Sequence, residues 1–152
     1  MEFQQQEELK ATGEVQIQLL DASGKVKETH KVKNLVVSVG KTYIAARMQG
    51  TSVPAVMSHM SIGTGTATPA VANTTLGVEA GRVALASFSS SSNQVTATAT
   101  FPAGTGTGAI TEAGIFNASG AGAGTMLCRT TFPVVNKAAG DSIAITWVVT
   151  VS

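Results

Sequence analysis

The last ten residues of the chain follow a strict period of two. Large apolar side chains occupy every second position, namely Ile143, Ile145, Trp147, Val149 and Val151. In a β-strand successive side chains point to opposite faces, so this spacing places all five on one face. The pattern therefore predicts a half-buried strand, and it limits the chain to folds that contain a sheet with one covered face.

The same period recurs along much of the chain. Val15, Ile17 and Leu19 alternate with polar residues, and 21–24 (DASG) is typical of a tight turn. The returning strand carries lysines on one side only, which suits an exposed edge. Further strand patterns lie at 56–62, 82–89, 94–101, 110–116 and 125–132. In the third of these, Val95, Ala97, Ala99 and Phe101 are predicted to point inward. The second and third are predicted to pair as a hairpin.

One segment has a helical pattern. Tyr43, Ile44, Arg47 and Met48 follow a helical spacing, Ser38 is the predicted N-cap, and Gly50 is the predicted end. A second, shorter helix is expected at 75–80. Together the patterns predict a mainly β protein of seven or eight strands, an antiparallel β-sandwich or jelly-roll-like barrel with one short helix near the N-terminal third. We expect an N-terminal arm at 1–11 and a single domain at 12–152.

Charge is distributed very unevenly. Of 10 basic and 9 acidic residues, only six follow residue 47. An average stretch of that length would carry about 25. The six are Glu79, Arg82, Glu112, Arg129, Lys137 and Asp141. Soluble surfaces normally mix both signs of charge, whereas this region offers Ser, Thr, Ala and Gly. Such a surface suits contact with other protein, so we expect a building block of an assembly.

Several classes of function are disfavoured. The net charge of +1 provides no basic field for nucleic acid. No apolar run is long enough to span a membrane, and the acidic, polar start lacks the features of a signal peptide. The lone Cys128 rules out an internal disulfide and fits a reducing cytoplasm.

No catalytic, metal or cofactor site is predicted. His30 and His59 lack partners at ligand spacing, and Cys128 is expected to be a buried, inert thiol. The glycine-rich stretches 63–66 and 104–108 lack the ending of a phosphate-binding loop, so we interpret them as turns that need positive φ. Glu112 is expected to be a structural carboxylate, paired with Arg82 or Arg129. We therefore predict that the chain is not an enzyme.

Five short stretches and one arginine carry a family resemblance. Residues 60–69 (MSIGTGTATP) are followed by 73–79 (NTTLGVE) and Arg82, then by 110–118 (ITEAGIFNA) with 124–127 (GTML), and finally by 140–147 (GDSIAITW). In this order they resemble stretches of tailed-bacteriophage virion proteins, and together they cover about 56–152. The resemblance implies a structural protein of the virion, assembled in the cytoplasm of a bacterial host. It brings no catalytic residues with it.

The resemblance leaves the location in the virion open. Similar stretches occur in attachment regions of tail fibres and in small stand-alone proteins that look like head decoration, or cement, proteins. Because no fibre shaft or receptor-binding tip follows Ser152, we favour a decoration protein that bridges capsid subunits. A tail baseplate or fibre-adaptor subunit is the alternative. A carbohydrate-binding module is a third hypothesis, but Trp147 is predicted to be buried and no calcium-binding acids cluster.

The expected partners are the major capsid protein and further copies of the chain, as a homodimer or homotrimer. Contacts are expected from the N-terminal arm, from the loop 63–73, and from the glycine-rich loops 104–108 and 118–124. The candidate contact residues are Phe3, Leu9, Thr64, Thr66, Pro69, Thr105 and Thr107. For each region a plain solvent-exposed loop is an equally good interpretation.

Overall fold

A computed structural model describes residues 7–152 as ten strands and one helix. In chain order they are β1 (Ala11–Leu20), β2 (Val26–Lys33), β3 (Leu35–Val36), α1 (Ser38–Gln49), β4 (His59–Gly63), β5 (Glu79–Ala84), β6 (Ser87–Ser91), β7 (Gln94–Phe101), β8 (Gly108–Phe116), β9 (Met126–Lys137) and β10 (Ser142–Val151). The predicted mainly β architecture with one helix in the N-terminal third is confirmed.

The strands form two antiparallel sheets. Sheet A has the order β2-β1-β10-β7-β6, and sheet B has the order β3-β9-β8-β4-β5. The backbone of Lys10 also exchanges two hydrogen bonds with that of Ser152, at 2.7 and 2.8 Å. The start of the described chain is therefore fastened beside the end of β10.

The inner faces of the two sheets share one apolar core. Ile17, Ile145 and Trp147 of sheet A belong to the same buried cluster as Ile62 and Ile115 of sheet B. Trp147 is completely buried, as its place in the alternating strand predicts. Burying a large apolar side chain stabilises a fold by about 1.5–3 kcal/mol. The period-two segments therefore account for the sandwich.

The helix α1 packs against β9, where a Cβ added at Gly40 would lie 2.1 Å from the carbonyl oxygen of Leu127. Tyr43 and Ile44 of the helix pack against the core that the two sheets share. A third layer covers the outer face of sheet B. A second apolar cluster lies in this layer and joins Val37, Leu76, Phe116 and Met126. The outer face of sheet B is therefore an interior surface, which the strand patterns alone did not reveal.

The helix was predicted correctly except at its start. Gly50 ends α1 with φ of 75°, the left-handed conformation expected of a terminal glycine. The N-cap is Val37, however, and it makes no side-chain capping bond. Ser38 is the first helical residue, and its backbone N–H donates to the carbonyl of Val71 at 2.8 Å. The carbonyl oxygen of Val71, in the loop between β4 and β5, thus accepts this N–H in place of a side-chain cap.

Other predictions at the element boundaries were wrong. No helix forms at 75–80, because backbone N–H groups there are bonded to a buried carboxylate described below. The predicted strand 82–89 is broken, since the chain leaves sheet B after Ala84 and enters sheet A at Ser87. The chain also changes sheet at Asn34, between β2 in sheet A and β3 in sheet B. Val56, at the start of the predicted strand 56–62, is 53% exposed and precedes β4.

Candidate interaction surface

All six charged side chains in residues 48–152 are turned into the protein. Glu79, the most exposed of them, shows 14% of its side-chain surface, and Glu112 shows none. Each of the six donates or accepts at least one hydrogen bond within the chain. The exterior formed by residues 48–152 therefore carries even less free charge than the composition suggests, because the few charged groups are turned inward and hydrogen-bonded.

Glu112 lies at the centre of the largest of these networks. Its Oε1 accepts hydrogen bonds from the backbone N–H groups of Gly65 and Val78, both at 2.8 Å, and its Oε2 accepts one from Gly77 at 2.9 Å. Arg129 donates to Oε2 through Nε at 3.1 Å and Nη2 at 2.8 Å. The carboxylate therefore fastens both ends of the loop 64–78 to sheet B.

These bonds keep Glu112 ionised despite its burial. Burial opposes the charged form, but the hydrogen bonds from Val78, Gly77, Arg129 and Gly65 outweigh it and hold the pKa of Glu112 below its usual value. The predicted structural pairing of Glu112 is confirmed, and its partner is Arg129. Arg129 also donates to Asn73 Oδ1 at 3.1 Å, which adds the middle of the loop to the network.

A second network holds the glycine-rich loop 118–124. Arg82 donates through Nη1 to the carbonyl oxygens of Ala118 and Ala123, at 2.8 and 2.9 Å, and through Nε to Glu79 Oε1 at 2.8 Å. Glu79 in turn accepts from the N–H of Gly122 at 2.7 Å and from the Ser61 hydroxyl. Burial of Glu79 is again outweighed by these bonds, so its pKa is lowered.

A third network lies at the turn between β9 and β10 and involves Lys137 and Asp141. Lys137 donates to the carbonyl of Pro102 at 2.9 Å. Asp141 accepts from the backbone of Ala138 at 3.0 Å and from Lys27 at 3.1 Å. The Ala138 bond and the Lys27 ammonium lower the pKa of Asp141. Lys27 is the one partner in these three networks that comes from the charged N-terminal part of the chain.

The residues that carry the family resemblance are thus largely internal. Gly65, Gly77, Glu79, Arg82 and Glu112 all belong to the first two networks. Close approach explains two glycines in 63–66, since a Cβ at Gly63 would lie 2.2 Å from Val78 O and one at Gly65 would lie 2.4 Å from Glu112 Oε1. Neither has positive φ, so the predicted reason was wrong there. In 104–108 all three glycines do have positive φ, as expected.

No protein-family model matches this chain, and no curated protein or solved structure is significantly similar to it. The geometry of the chain itself therefore carries the functional argument.

An exposed uncharged surface lies on the outer face of sheet A. The outward side chains of β6, β7 and β10 are all exposed or half-buried, and none is charged. This surface, called the neutral face below, consists of Ser87, Ser89, Ser91, Gln94, Thr96, Thr98, Thr100, Ser142, Ala144, Thr146, Val148 and Thr150. Side chains meet across its strands, as in the hydrogen bonds between Ser87 and Thr98 at 2.5 Å and between Gln94 and Thr150 at 3.2 Å.

The other half of the outer face of sheet A, formed by β1 and β2, carries charged side chains. Lys31 and Lys33 of β2 and Glu14 of β1 lie on the outer side. A depression of about 380 Å³ marks the border and is lined by these three residues together with Thr146 and Val148. Within residues 7–47 nearly every charged side chain is exposed. Sheet A therefore presents a neutral half and a strongly charged half.

The predicted contact residues are scattered. Leu9 is 74% exposed, and Thr66 and Thr107 are exposed. Thr64 and Pro69 are half-buried on the fastened loop 64–78. Thr105 is half-buried and its methyl group packs beside Gly81, whereas Phe3 and most of the proposed arm lie outside the described residues.

Sequence reasoning did not single out the neutral face. The advance signs were the low charge of residues 48–152 and the recurrence of Thr or Ser at every second position of 96–100 and 87–91. Recognising a face also requires knowing that β6, β7 and β10 are neighbours in one sheet, which local patterns do not reveal.

In residues 7–152 no group of three or more His, Cys, Asp and Glu side chains is placed to hold a metal ion. No helix found there has the length and apolar character needed to cross a bilayer. Cys128 is buried, and burial raises the pKa of its thiol to about 12.

Proposed function

We propose that this chain is a structural protein of a tailed-bacteriophage virion, and that it decorates the head by binding and bridging capsid subunits. The observation that carries the proposal is the inward placement of every charged side chain in residues 48–152, which leaves the neutral face and the adjoining loops uncharged. The resemblance of 56–152 to phage virion proteins supplies the class of assembly.

The free-energy cost of covering a surface with protein depends on the side chains that the surface carries. Burying a charged group is unfavourable unless a partner satisfies it, and ordering a Lys or Glu side chain costs up to about 2 kcal/mol of conformational entropy. Serine, threonine and glycine incur less of both costs, and their hydroxyl groups hydrogen-bond readily to a neighbouring surface. Interface centres are accordingly depleted of charge. Residues 48–152 have already satisfied their charges internally.

The mechanism is mechanical rather than catalytic. We propose that the neutral face lies against the major capsid protein, with the charged half of sheet A directed toward solvent. Each copy binds weakly by itself, and bridging two capsid subunits adds avidity because the second contact is intramolecular. The partners are the capsid protein and further copies of the chain, as a homodimer or homotrimer. Neither nucleic acid nor a membrane takes part.

A non-enzymatic role fits the state of the carboxylates. Glu79, Glu112 and Asp141 are the acids of residues 48–152, and each accepts at least two hydrogen bonds that lower its pKa and favour the ionised form. Trp147, the residue best suited to stack on a sugar ring, lies in the core. The proposed role therefore requires neither bond chemistry nor carbohydrate binding.

Copy number in purified virions tests the proposal most directly. Gel densitometry against the major capsid protein should give hundreds of copies per particle. A copy number of three, six or twelve would place the protein in the tail, as a baseplate or fibre-adaptor subunit. Absence from virions would overturn the whole proposal. Virions lacking the protein should also release DNA at lower temperature or in low salt, whereas equally robust heads would contradict a stabilising role.

A binding assay tests the neutral face itself. Purified protein is mixed with heads that lack it, and bound protein is measured after sedimentation. Thr98→Lys and Thr146→Lys each place a charge on the neutral face, and we expect binding to fall at least about tenfold. Thr29→Lys is the matched control, because Thr29 is exposed on the charged half of the same sheet. Equal binding by all three variants would rule out docking through this face.

A further inference from the structure

The two edges of sheet A differ sharply in character. At one edge, β2 carries Lys27, Glu28, Lys31 and Lys33. At the other edge lies β6, which reads SFSSS, contains neither charge nor proline, and is exposed at all five positions. Among the described strands, β6 pairs only with β7. Charged residues and prolines are the usual means by which proteins keep sheet edges from pairing. β2 has such protection and β6 lacks it.

We propose that β6 is a self-association site, at which the β6 strand of a second copy pairs antiparallel and joins two A sheets into one. An edge strand offers a row of unpaired backbone donors and acceptors, and an extended strand satisfies them best. The inference deepens the self-association in the proposed function and rests on it, but it does not depend on where in the virion the protein lies.

The charge pattern selects a second copy as the partner. Across a two-fold axis a strand meets itself, so a strand with an excess of one sign repels its own copy. That condition disfavours pairing of β2 with β2, because three of its eight residues are lysines and one is a glutamate. β6 has no charge, so the same operation brings nothing unfavourable together.

Phe88 supplies an apolar contribution at the same edge. It pairs in register with the buried Ala97, which places its side chain on the inner side of the sheet. At the rim of the sandwich, however, Phe88 remains 41% exposed. A two-fold axis through β6 keeps both inner faces on the same side, so the two Phe88 rings would meet over the joint and cover each other.

Pairing at β6 also has a structural consequence. The neutral faces of both copies become one continuous surface, and the charged β2 edges lie at its two far ends. A dimer of this form doubles the uncharged area offered to a partner, which suits a subunit that bridges neighbours.

The test is the mass of the purified chain in solution. Sedimentation equilibrium over a range of concentrations should detect a species of twice the 15.4 kDa chain mass. Ser89→Lys places a charge at the middle of β6 and should weaken the dimer at least about tenfold. Ser89→Thr keeps the position neutral and should preserve the dimer. Thr146→Lys places the same charge on the same face but on β10, away from the edge, and should also preserve it.

Hydrogen exchange of the unaltered protein keeps the test valid if Ser89→Lys fails to fold. Backbone amides in 87–91 should be more protected at concentrations above the dimer dissociation constant than below it. A chain that stays monomeric, a dimer that survives Ser89→Lys in a folded variant, or unchanged exchange at 87–91 would each overturn the inference. None of these results affects the copy number in virions, so failure here is distinct from failure of the proposed function.

Discussion

The Glu112 carboxylate and the Arg129 guanidinium form a fully buried ion pair on the outer side of sheet B. Two of the guanidinium nitrogens reach the same oxygen, at 3.1 and 2.8 Å, and neither side chain exceeds 2% exposure. The two residues occupy adjacent strands, β8 and β9, which hold them in place. Because three backbone N–H groups complete the shell of the carboxylate, the pair also fixes the path of the loop above it.

Removing either partner should strongly destabilise the protein. Arg129→Met leaves the Glu112 carboxylate buried without its cation, and breaking a buried pair in this way costs about 3–5 kcal/mol. Urea unfolding should show the corresponding drop in the free energy of unfolding. Glu14→Gln, on the exposed outer side of β1, should change it by less than about 0.5 kcal/mol. A loss below about 1 kcal/mol for Arg129→Met would show that the pair adds little to the fold.

Acid should destabilise the protein through the same carboxylates. The pKa values of Glu112 and Glu79 lie below the usual 4.5, because hydrogen bonds outweigh the effect of burial. A carboxylate with a lowered folded pKa binds protons more readily when the chain is unfolded. Its stabilising contribution is therefore complete above about pH 4.5 and is lost as the pH falls through the lower folded pKa values.

Calorimetry from neutral pH down to about 2.5 should accordingly show a Tm that declines below the usual carboxylate pKa. Glu79→Gln removes one of the titrating groups, so its Tm should depend less steeply on pH than that of the unaltered protein. A Tm independent of pH across the acid range would contradict the linkage.

A methyl group at Gly65 should disturb the Glu112 site sterically. A Cβ there would lie 2.4 Å from Glu112 Oε1, so the carboxylate or the loop would have to move. Overpacking of this kind costs about 1–3 kcal/mol, and we expect Gly65→Ala to lower the free energy of unfolding by that amount. Gly120→Ala is the control, since its Cβ would meet its nearest neighbour only at 3.4 Å. Equal stability of the two variants would contradict the packing seen at Gly65.

Local patterns predicted most of the strands because alternation is a local property. β1, β7 and β10 were recognisable from spacing alone, and so was the inward position of Trp147. The sheet crossings were not, because the change of sheet between Ala84 and Ser87 leaves the chain extended and has no composition signal of its own. The predicted strand therefore ran through the crossing without a break.

The Glu112 site could be predicted only in part: the sequence indicated its cationic partner but not its backbone partners. Few cations lie in residues 48–152, so a buried acid there had few possible partners, and Arg129 was one of the two named. The backbone donors at Gly65, Gly77 and Val78 could not be foreseen, since a backbone N–H is the same at almost every residue. Their contribution also explains the failed helix prediction at 75–80, where a buried tertiary acceptor overrides local helical preference.

Cys128 should remain unreactive for as long as the protein stays folded. Its thiol is fully buried, and burial raises its pKa to about 12, so almost no thiolate exists at neutral pH and reagents cannot reach the sulfur. Ellman's reagent should label the native protein only at the rate of unfolding, and it should label the urea-unfolded chain at once. Ser119→Cys, in the exposed loop 118–124, provides an accessible thiol for comparison. Native labelling of Cys128 at a rate close to that of Ser119→Cys would mean that the core between the two sheets, to which Cys128 belongs, opens readily.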